Sequence, residues 1–306
     1  MTRKTPPVNV SASVRARLLK VAKERREDFT LTLMNYAAER FLYRLSKSTH
    51  RDRFVLKGAM LFAVRIGEKY RPTRDLDLLG LGEATEEAVN AAIGEIVSTP
   101  VADDGLVFDT GTLTVHPIRE DNRYGGLRAV IRAHLAEARI HVQIDVGFGD
   151  AITPGALDLE FPTLLRDMAS PHVLAYPTET IIAEKTEAMV DLGISNSRMK
   201  DFSDVAIAAR RVAFDGESLV VALRATFRRR GTAFPDGEIV ALSEQFVQDS
   251  SAQANWKAFA ARNQQTEFES LQQVVSELRR FLHEPVVHAR STELFTAQWS
   301  PGGPWA

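Results

Sequence analysis

The stretch "RPTRDLDLLG", Arg71 to Gly80, sets Asp75 and Asp77 two residues apart inside an apolar run. On a β-strand, residues i and i+2 point to the same face, about 7 Å apart along the strand. The two carboxylates therefore project together while Leu76 and Leu78 turn toward a core. Carboxylates held this close repel unless a cation lies between them. Hard divalent cations such as Mg²⁺ prefer oxygen ligands and often bridge carboxylates to substrate phosphates.

Further residues extend the pattern. Asp145, in "ARIHVQIDVGFGD", stands between Ile144 and Val146 on the polar face of a second strand. It can complete a cluster with Asp75 and Asp77. Three carboxylates can hold two ions about 3.5–4 Å apart, which stabilise the attacking and leaving oxygens of an in-line displacement at phosphorus. Upstream, Gly58 marks a strand-to-helix turn, where a glycine lets backbone N–H groups approach a phosphate. Lys57 is its neighbour. An isolated D-x-D more often marks the exposed end of a strand. A glycine turn, then D-x-D, then one carboxylate on a later strand is a far more specific order.

These residues need strands to carry them. "SASVRARLLKVAKERRED" has Val14, Leu18 and Val21 at helical spacing behind cap-capable serines. A second helix is predicted over residues 30–46, with Leu31, Met34, Ala38, Phe41, Leu42 and Leu45 as its apolar stripe. Phe54–Leu56 is a short apolar run, Gly58 ends it and an apolar helix follows. "RDLDLLG" reads as a strand, and a charged helix is predicted over residues 84–98. "GLVFDTGTLTVHPI" reads as two short strands. "GLRAVIRAHLAEARIHVQIDVGFGD" reads as two long ones, with Ile140, Val142, Ile144 and Val146 alternating against Arg139, His141, Gln143 and Asp145. Pro154, Pro162, Pro171 and Pro177 punctuate the predicted domain junction. Beyond them the sequence is mainly helical: "TETIIAEKTEAMVDLG", "SRMKDFSDVAIAARRVAF", "GESLVVALRATFRRRG", "ALSEQFVQD" and "NQQTEFESLQQVVSELRRFL" precede a loose tail. The fold class expected is α+β, with domains at 1–165 and 166–306.

Composition narrows the classes. The 306 residues are 44% hydrophobic and 25% charged, ordinary for a globular protein. The formal net charge of −2 gives no global field for a polyanion. Basic residues do gather in residues 1–28 and in "FRRRGT", Phe227 to Thr232. There is no cysteine, which excludes disulfides, thiolate zinc sites and cysteine nucleophiles. The seven histidines form no H-x-H or H-E-x-x-H pattern. His141 reads as a polar strand residue. The N-terminal stretch lacks the apolar core of a signal peptide and no stretch reaches the length of a membrane span, so a cytoplasmic protein with no membrane partner is expected.

The order of these parts resembles the polymerase-β type of nucleotidyltransferase superfold. "RARLLKVAKERREDFTLTLMNYAAERFLYRLSKS", "FVLKGAMLF", "RPTRDLDLLG", "YGGLRAV", "ARIHVQIDVGFGD", "YPTETIIAEKTEAMVDLG" and "NSRMKDFSD" together resemble the AbiEii/AbiGii family of toxin nucleotidyltransferases, which includes MenT-like members. The segments run from about residue 12 to 210, with weaker similarity beyond. The resemblance implies two lobes: an N-terminal nucleotidyltransferase core, a mixed sheet with flanking helices, and a mainly helical C-terminal lobe. It also implies a role in type IV toxin–antitoxin or abortive-infection systems, an NTP substrate, Mg²⁺ or Mn²⁺, a cognate antitoxin, and transfer of NMP to RNA, the 3′ end of tRNA, with translation and growth inhibited.

Residue by residue, the first family motif falls on Lys57, Gly58, Asp75 and Asp77, with Asp145 as the third carboxylate. The metal ligands so implied are Asp75, Asp77 and Asp145. Many nucleotidyltransferases have Gly-Ser or Gly-Gly at the turn, and here it is Gly58-Ala59. With no serine hydroxyl there, phosphate binding rests on backbone N–H groups and Lys57. Thr73 and Arg74 fit the pattern, and Arg74 can contact the triphosphate or pair with a nearby acid. The later motifs fall on Lys185, Arg198, Lys200, Asp201 and Asp204. Lys185, flanked by Glu184 and Glu187, can neutralise departing pyrophosphate. Asp201 and Asp204, i and i+3 on a helix, share a face. Asp204 can orient Lys185 or bind the nucleotide's base or sugar, and both can instead serve interhelical ion pairs. Three rival functions remain open: a nucleotidyltransferase acting on a small hydroxylated drug, a catalytically silent module that binds nucleotide or antitoxin, and a structural protein with an ion-paired cleft that binds neither Mg²⁺ nor NTP.

Overall fold

The computed structural model describes residues 9–67, 75–118, 125–263, 267–291 and 293–306. Thr73 and Arg74 lie outside the described residues. Two helices come first. α1 (Val10–Arg25) is capped by Asn9, whose side chain accepts the Ala12 N–H at 2.9 Å. α2 (Phe29–Lys47) is capped by Asp28, which accepts the Leu31 N–H at 3.0 Å. β1 (Phe54–Lys57) runs directly into α3 (Gly58–Ile66). Then follow β2 (Asp75–Gly80), α4 (Glu86–Val97), β3 (Leu106–Pro117), β4 (Gly126–Leu135), β5 (Ala138–Phe148), β6 (Leu157–Glu160) and β7 (His172–Ala175).

The seven strands form one mixed sheet in the order β3-β4-β5-β2-β1-β7-β6. β2 is parallel to β5 and β1 to β7, and the other neighbours are antiparallel. The period-two alternation dictates the two faces. Leu76 and Leu78 of β2, Leu127, Ala129 and Ile131 of β4, and Val142, Ile144 and Val146 of β5 are all buried. α2 packs against β5 and β7, and α4 against β3 and β4. The intervening polar residues project from the opposite face. Within α2, Glu39 and Arg40 form an ion pair at 2.7 Å and are each 1% exposed. Glu39 accepts the Leu164 N–H at 2.6 Å and Arg40 donates to the Ala169 carbonyl at 2.9 Å, so α2 clamps the segment between β6 and β7. Burial pushes the Glu39 carboxyl up to about 7, against the pull of Arg40.

The remaining elements are α5 (Thr178–Leu192), α6 (Met199–Arg211), β8 (Phe214–Asp215), α7 (Gly216–Arg230), α8 (Glu244–Gln248), α9 (Ser250–Arg262), α10 (Leu271–Arg290) and β9 (Gln298–Trp299). By contacts the chain divides into two units. One takes Met1–Val64, Pro72–Gly149 and Leu157–Ala175, as far as they are described, and the other the rest. In the second unit α5 packs on α6 and α7, and α10 packs on the same two helices.

Four expectations are corrected. Residues 106–117 form one strand, not two short ones. The pairing of β3 with β4 shifts between Asp109 and Thr114, and this bulge is satisfied locally. Asp109 accepts the Gly111 N–H at 3.2 Å, and Thr112 Oγ1 accepts the Arg132 N–H at 3.0 Å, so the chain kinks without reversing. The proline-punctuated segment contains two strands, β6 and β7, because parallel pairing to β1 stabilises a short run that alternation alone does not announce. α9 was not foreseen, since its apolar positions are few. The tail is not loose. Trp299 is 1% exposed and donates to the Ala209 carbonyl at 2.6 Å, and Trp305 donates to the Phe281 carbonyl at 2.8 Å.

Candidate active site

Strand register gathers the first set of predicted residues. Lys57 is opposite Asp77, Asp77 opposite Asp145, and Asp145 opposite Arg128. One line across β1, β2, β5 and β4 therefore reads Lys–Asp–Asp–Arg. Adjacent strands lie about 4.8 Å apart, so each of these side chains is within reach of the next. The neighbouring register row, Leu56, Leu78, Val146 and Leu127, is buried and fixes which face the charged row takes. Asp75 belongs to the next row on the charged face, opposite Gln143.

Gly58 adopts a left-handed φ of 71° where β1 becomes α3. A Cβ at this position would lie 2.5 Å from Asp77 Cγ and 2.6 Å from Asp77 Cβ. The glycine is thus required twice, by its backbone conformation and by the carboxylate packed against it. Asp145 is held from its other side. Arg128 Nε and Nη2 donate to its two oxygens at 2.8 and 2.7 Å, and Gln143 Nε2 lies 3.3 and 3.4 Å from them. Asp75 and Asp77, half-buried oxygen donors on one face beside a residue without a side chain, fit a hard divalent cation. Asp145, at the adjacent register position, has both oxygens engaged by Arg128. Among the described residues, no three carboxylate or imidazole groups are gathered at metal-holding spacing.

The second set lies in the other unit. Lys185 on α5 donates to Asp201 Oδ1 at 2.6 Å and to Asp204 Oδ2 at 2.7 Å, both on α6. Arg198 Nε donates to the second oxygen of Asp201 at 2.7 Å. The carboxylates are 2% and 1% exposed, whereas Lys185 is 16% exposed. Burial opposes ionisation of Asp201, but Lys185 and Arg198 outweigh it and hold the carboxyl at about 2. Burial pushes the Asp204 carboxyl well above the usual range, beside the same lysine. Lys200 is exposed and acts on Asp201 only through its charge.

A third cluster, in the same unit, was not anticipated. Arg230 at the end of α7 pairs with Glu187 at 2.7 Å and reaches Asp150 at 3.5 Å and Glu184 at 3.7 Å. Glu184 and Glu187, which flank Lys185 in sequence, are thus turned to Arg230. The basic "FRRRGT" knot is thereby divided, with Arg230 inside an acidic cage and Arg228 exposed.

The family model for the AbiEii nucleotidyl transferase toxin of type IV toxin–antitoxin systems matches residues 40–277. The chain belongs to that family. It is a nucleotidyltransferase, and membership implies an NTP substrate and a cognate antitoxin. Two solved structures are similar. One, a candidate nucleotidyltransferase from H. pylori, is 15% identical, with 85% of this chain and 96% of that chain covered and a TM-score of 0.48. The other, JHP933 from Helicobacter pylori, is 15% identical, with 84% and 92% covered and a TM-score of 0.49. No curated protein matches the chain.

For this AbiEii-family chain, no helix among the described residues is long and apolar enough to cross a membrane. Sequence reasoning missed Arg128 and Gln143. The signal was available in the hairpin: Leu135 pairs with Ala138 across a two-residue loop, and counting back from it sets Arg128 opposite Asp145.

Proposed function

We infer that the chain transfers NMP from an NTP to an acceptor hydroxyl with the help of a divalent cation, Mg²⁺ or Mn²⁺. The acceptor we assign is the 3′ end of tRNA, and the consequence is blocked translation and arrested growth. The observation that carries the reading is the placement of Asp75 and Asp77 on one face beside Gly58, with Asp145 at the next register position.

Asp75 and Asp77 would hold the cation, with Asp145 as a third ligand. When bound, such an ion supplies positive charge to the α- and β-phosphates of the nucleotide. Lys57 and the backbone N–H groups at the start of α3 bind the β- and γ-phosphates. Asp145 positions the acceptor hydroxyl and takes its proton as the oxygen attacks the α-phosphorus. The bond to the β-phosphate oxygen breaks and pyrophosphate leaves. Within the second unit, Asp201 and Asp204 fix the ammonium of Lys185. Chemistry of this kind depends mainly on positioning and charge stabilisation.

The test is incubation with total tRNA, Mg²⁺ and each α-³²P-labelled NTP in turn, with Asp77→Ala in parallel. Label on tRNA from the wild type alone is expected, with one NTP preferred. Absence of label with every NTP would remove tRNA as the acceptor. Equal labelling by Asp77→Ala would remove the carboxylate from the mechanism.

A further inference from the structure

Arg128 holds the carboxylate that the proposed chemistry needs. Its guanidinium takes both oxygens of Asp145 in a fork, and Gln143 lies against the same two oxygens. The register row Lys57, Asp77, Asp145, Arg128 reads plus, minus, minus, plus and sums to zero. Asp75, one row away, leaves the five residues at a formal −1. A cation arriving by itself would also face a guanidinium already seated on one of its ligands, and like charges at this range repel.

A nucleotide changes both terms. Its polyphosphate brings the negative charge the row lacks, and it offers Arg128 another partner. Guanidinium forks match phosphate as well as carboxylate. The exchange requires no opening of the core, because the Arg128 side chain is 38% exposed and Asp145 17%.

We propose that Arg128 is a resident counter-ion of Asp145 that makes divalent-cation binding conditional on nucleotide. The guanidinium occupies Asp145 until a polyphosphate arrives, then moves to phosphate and releases the carboxylate to the cation. This deepens the metal-dependent reading above and rests on it. The coupling is reciprocal: nucleotide raises cation affinity by the same factor as cation raises nucleotide affinity.

The experiment is Mn²⁺ binding followed by the paramagnetic resonance signal of the free ion, with and without a non-hydrolysable NTP analogue. Wild type, Arg128→Gln and Arg128→Lys are compared, each checked for folding by circular dichroism. Without nucleotide, Arg128→Gln should bind Mn²⁺ on the order of tenfold tighter than wild type, since a like charge has left the site. Adding the analogue should tighten Mn²⁺ binding strongly in wild type and weakly in Arg128→Gln. Arg128→Lys, which keeps the charge and loses the fork, should fall between them. Should Arg128→Gln not fold, Arg128→Lys carries the test with the same sign. Affinity for Mn²⁺ alone that is unchanged or weaker in the variants overturns the proposal while leaving metal-dependent transfer intact. Failure of every protein to bind Mn²⁺, with or without analogue, overturns the proposal together with the metal reading.

Discussion

Gly58 and Asp77 share a space that admits only one side chain. A methyl group on Gly58 would lie 2.5 Å from the Asp77 carboxyl carbon, well inside van der Waals contact. The same glycine has a φ of 71°, a conformation that costs an L-residue about 1–2 kcal/mol. Gly58→Ala should therefore do two things at once: lower the melting temperature modestly and push the Asp77 carboxylate aside. Displacement of a reacting group by about 1 Å can cost roughly 100-fold in rate. Melting curves and labelled-nucleotide transfer on the same preparation check both effects. A stable variant with wild-type transfer would dissociate this contact from the chemistry.

Asp201 and Asp204 share one lysine but should respond oppositely to amide substitution. Asp201, held at about 2 by Lys185 and Arg198 against its burial, contributes stability above the unfolded carboxyl range and loses it as pH falls toward 2. Asp201→Asn breaks a buried pair with both cations and should cost about 3 kcal/mol near neutrality. The Asp204 carboxyl is raised by burial, so the folded state takes up its proton more readily than the unfolded chain. Its contribution is present at acidic pH and is lost as pH rises through the folded value. Asp204→Asn should then be nearly neutral or stabilising near pH 7, with wild type gaining on it as pH falls. Urea denaturation from pH 5 to 8 reads the comparison. A large neutral-pH loss in Asp204→Asn would reverse the assignment of charge within the pair.

Much of this was legible in the sequence. Period-two alternation in "DLDLLG" and "RIHVQIDV" dictated both strands and which face carried the carboxylates, and apolar spacing placed α1 and α2, although α1 is capped by Asn9 with Ser11 and Ser13 inside it, and α5 starts at Pro177 with no side-chain cap. What stayed hidden depends on partners distant in the chain. β7 is a strand because β1 accepts it in parallel, and the tail is ordered because Trp299 and Trp305 meet Phe281. The same holds for charge. Glu184 and Glu187 look like neighbours that would modulate Lys185. Only the packing of α7 on α5 reveals that they face Arg230. Arg128 becomes visible only when register is counted back from the Leu135–Ala138 loop, because a cross-strand ion pair depends on register.

The C-terminal aromatic cluster should be a principal support of the helical unit. Trp299 is buried against Phe281, with ring centroids 5.0 Å apart, and Trp305 stacks on Phe281 at 5.8 Å. Trp299→Ala removes a large buried ring and the hydrogen bond to the Ala209 carbonyl at 2.6 Å. A loss of about 3–5 kcal/mol is expected. Chemical denaturation measures it, and a loss under about 1 kcal/mol would restore the loose-tail reading.

Arg228 and Arg230 are two residues apart in one basic knot, yet they should behave as different kinds of residue. The Arg230 side chain is 15% exposed and faces Glu187, Asp150 and Glu184, whose charges raise its pKa despite a desolvation that lowers it. Arg230→Met would remove the cation those carboxylates face and should cost about 3–5 kcal/mol. Arg228 is exposed, and Arg228→Ala should change stability by less than about 0.5 kcal/mol. If the tRNA backbone meets this end of α7, removing Arg228 should weaken binding and reduce the log–log salt slope by about 1, the signature of one lost phosphate contact. Filter binding of tRNA across a salt series, beside melting curves of both variants, separates the roles. An unchanged slope in Arg228→Ala would take this helix end out of the RNA interface, and an undiminished melting temperature in Arg230→Met would take the acidic cage out of the fold's support.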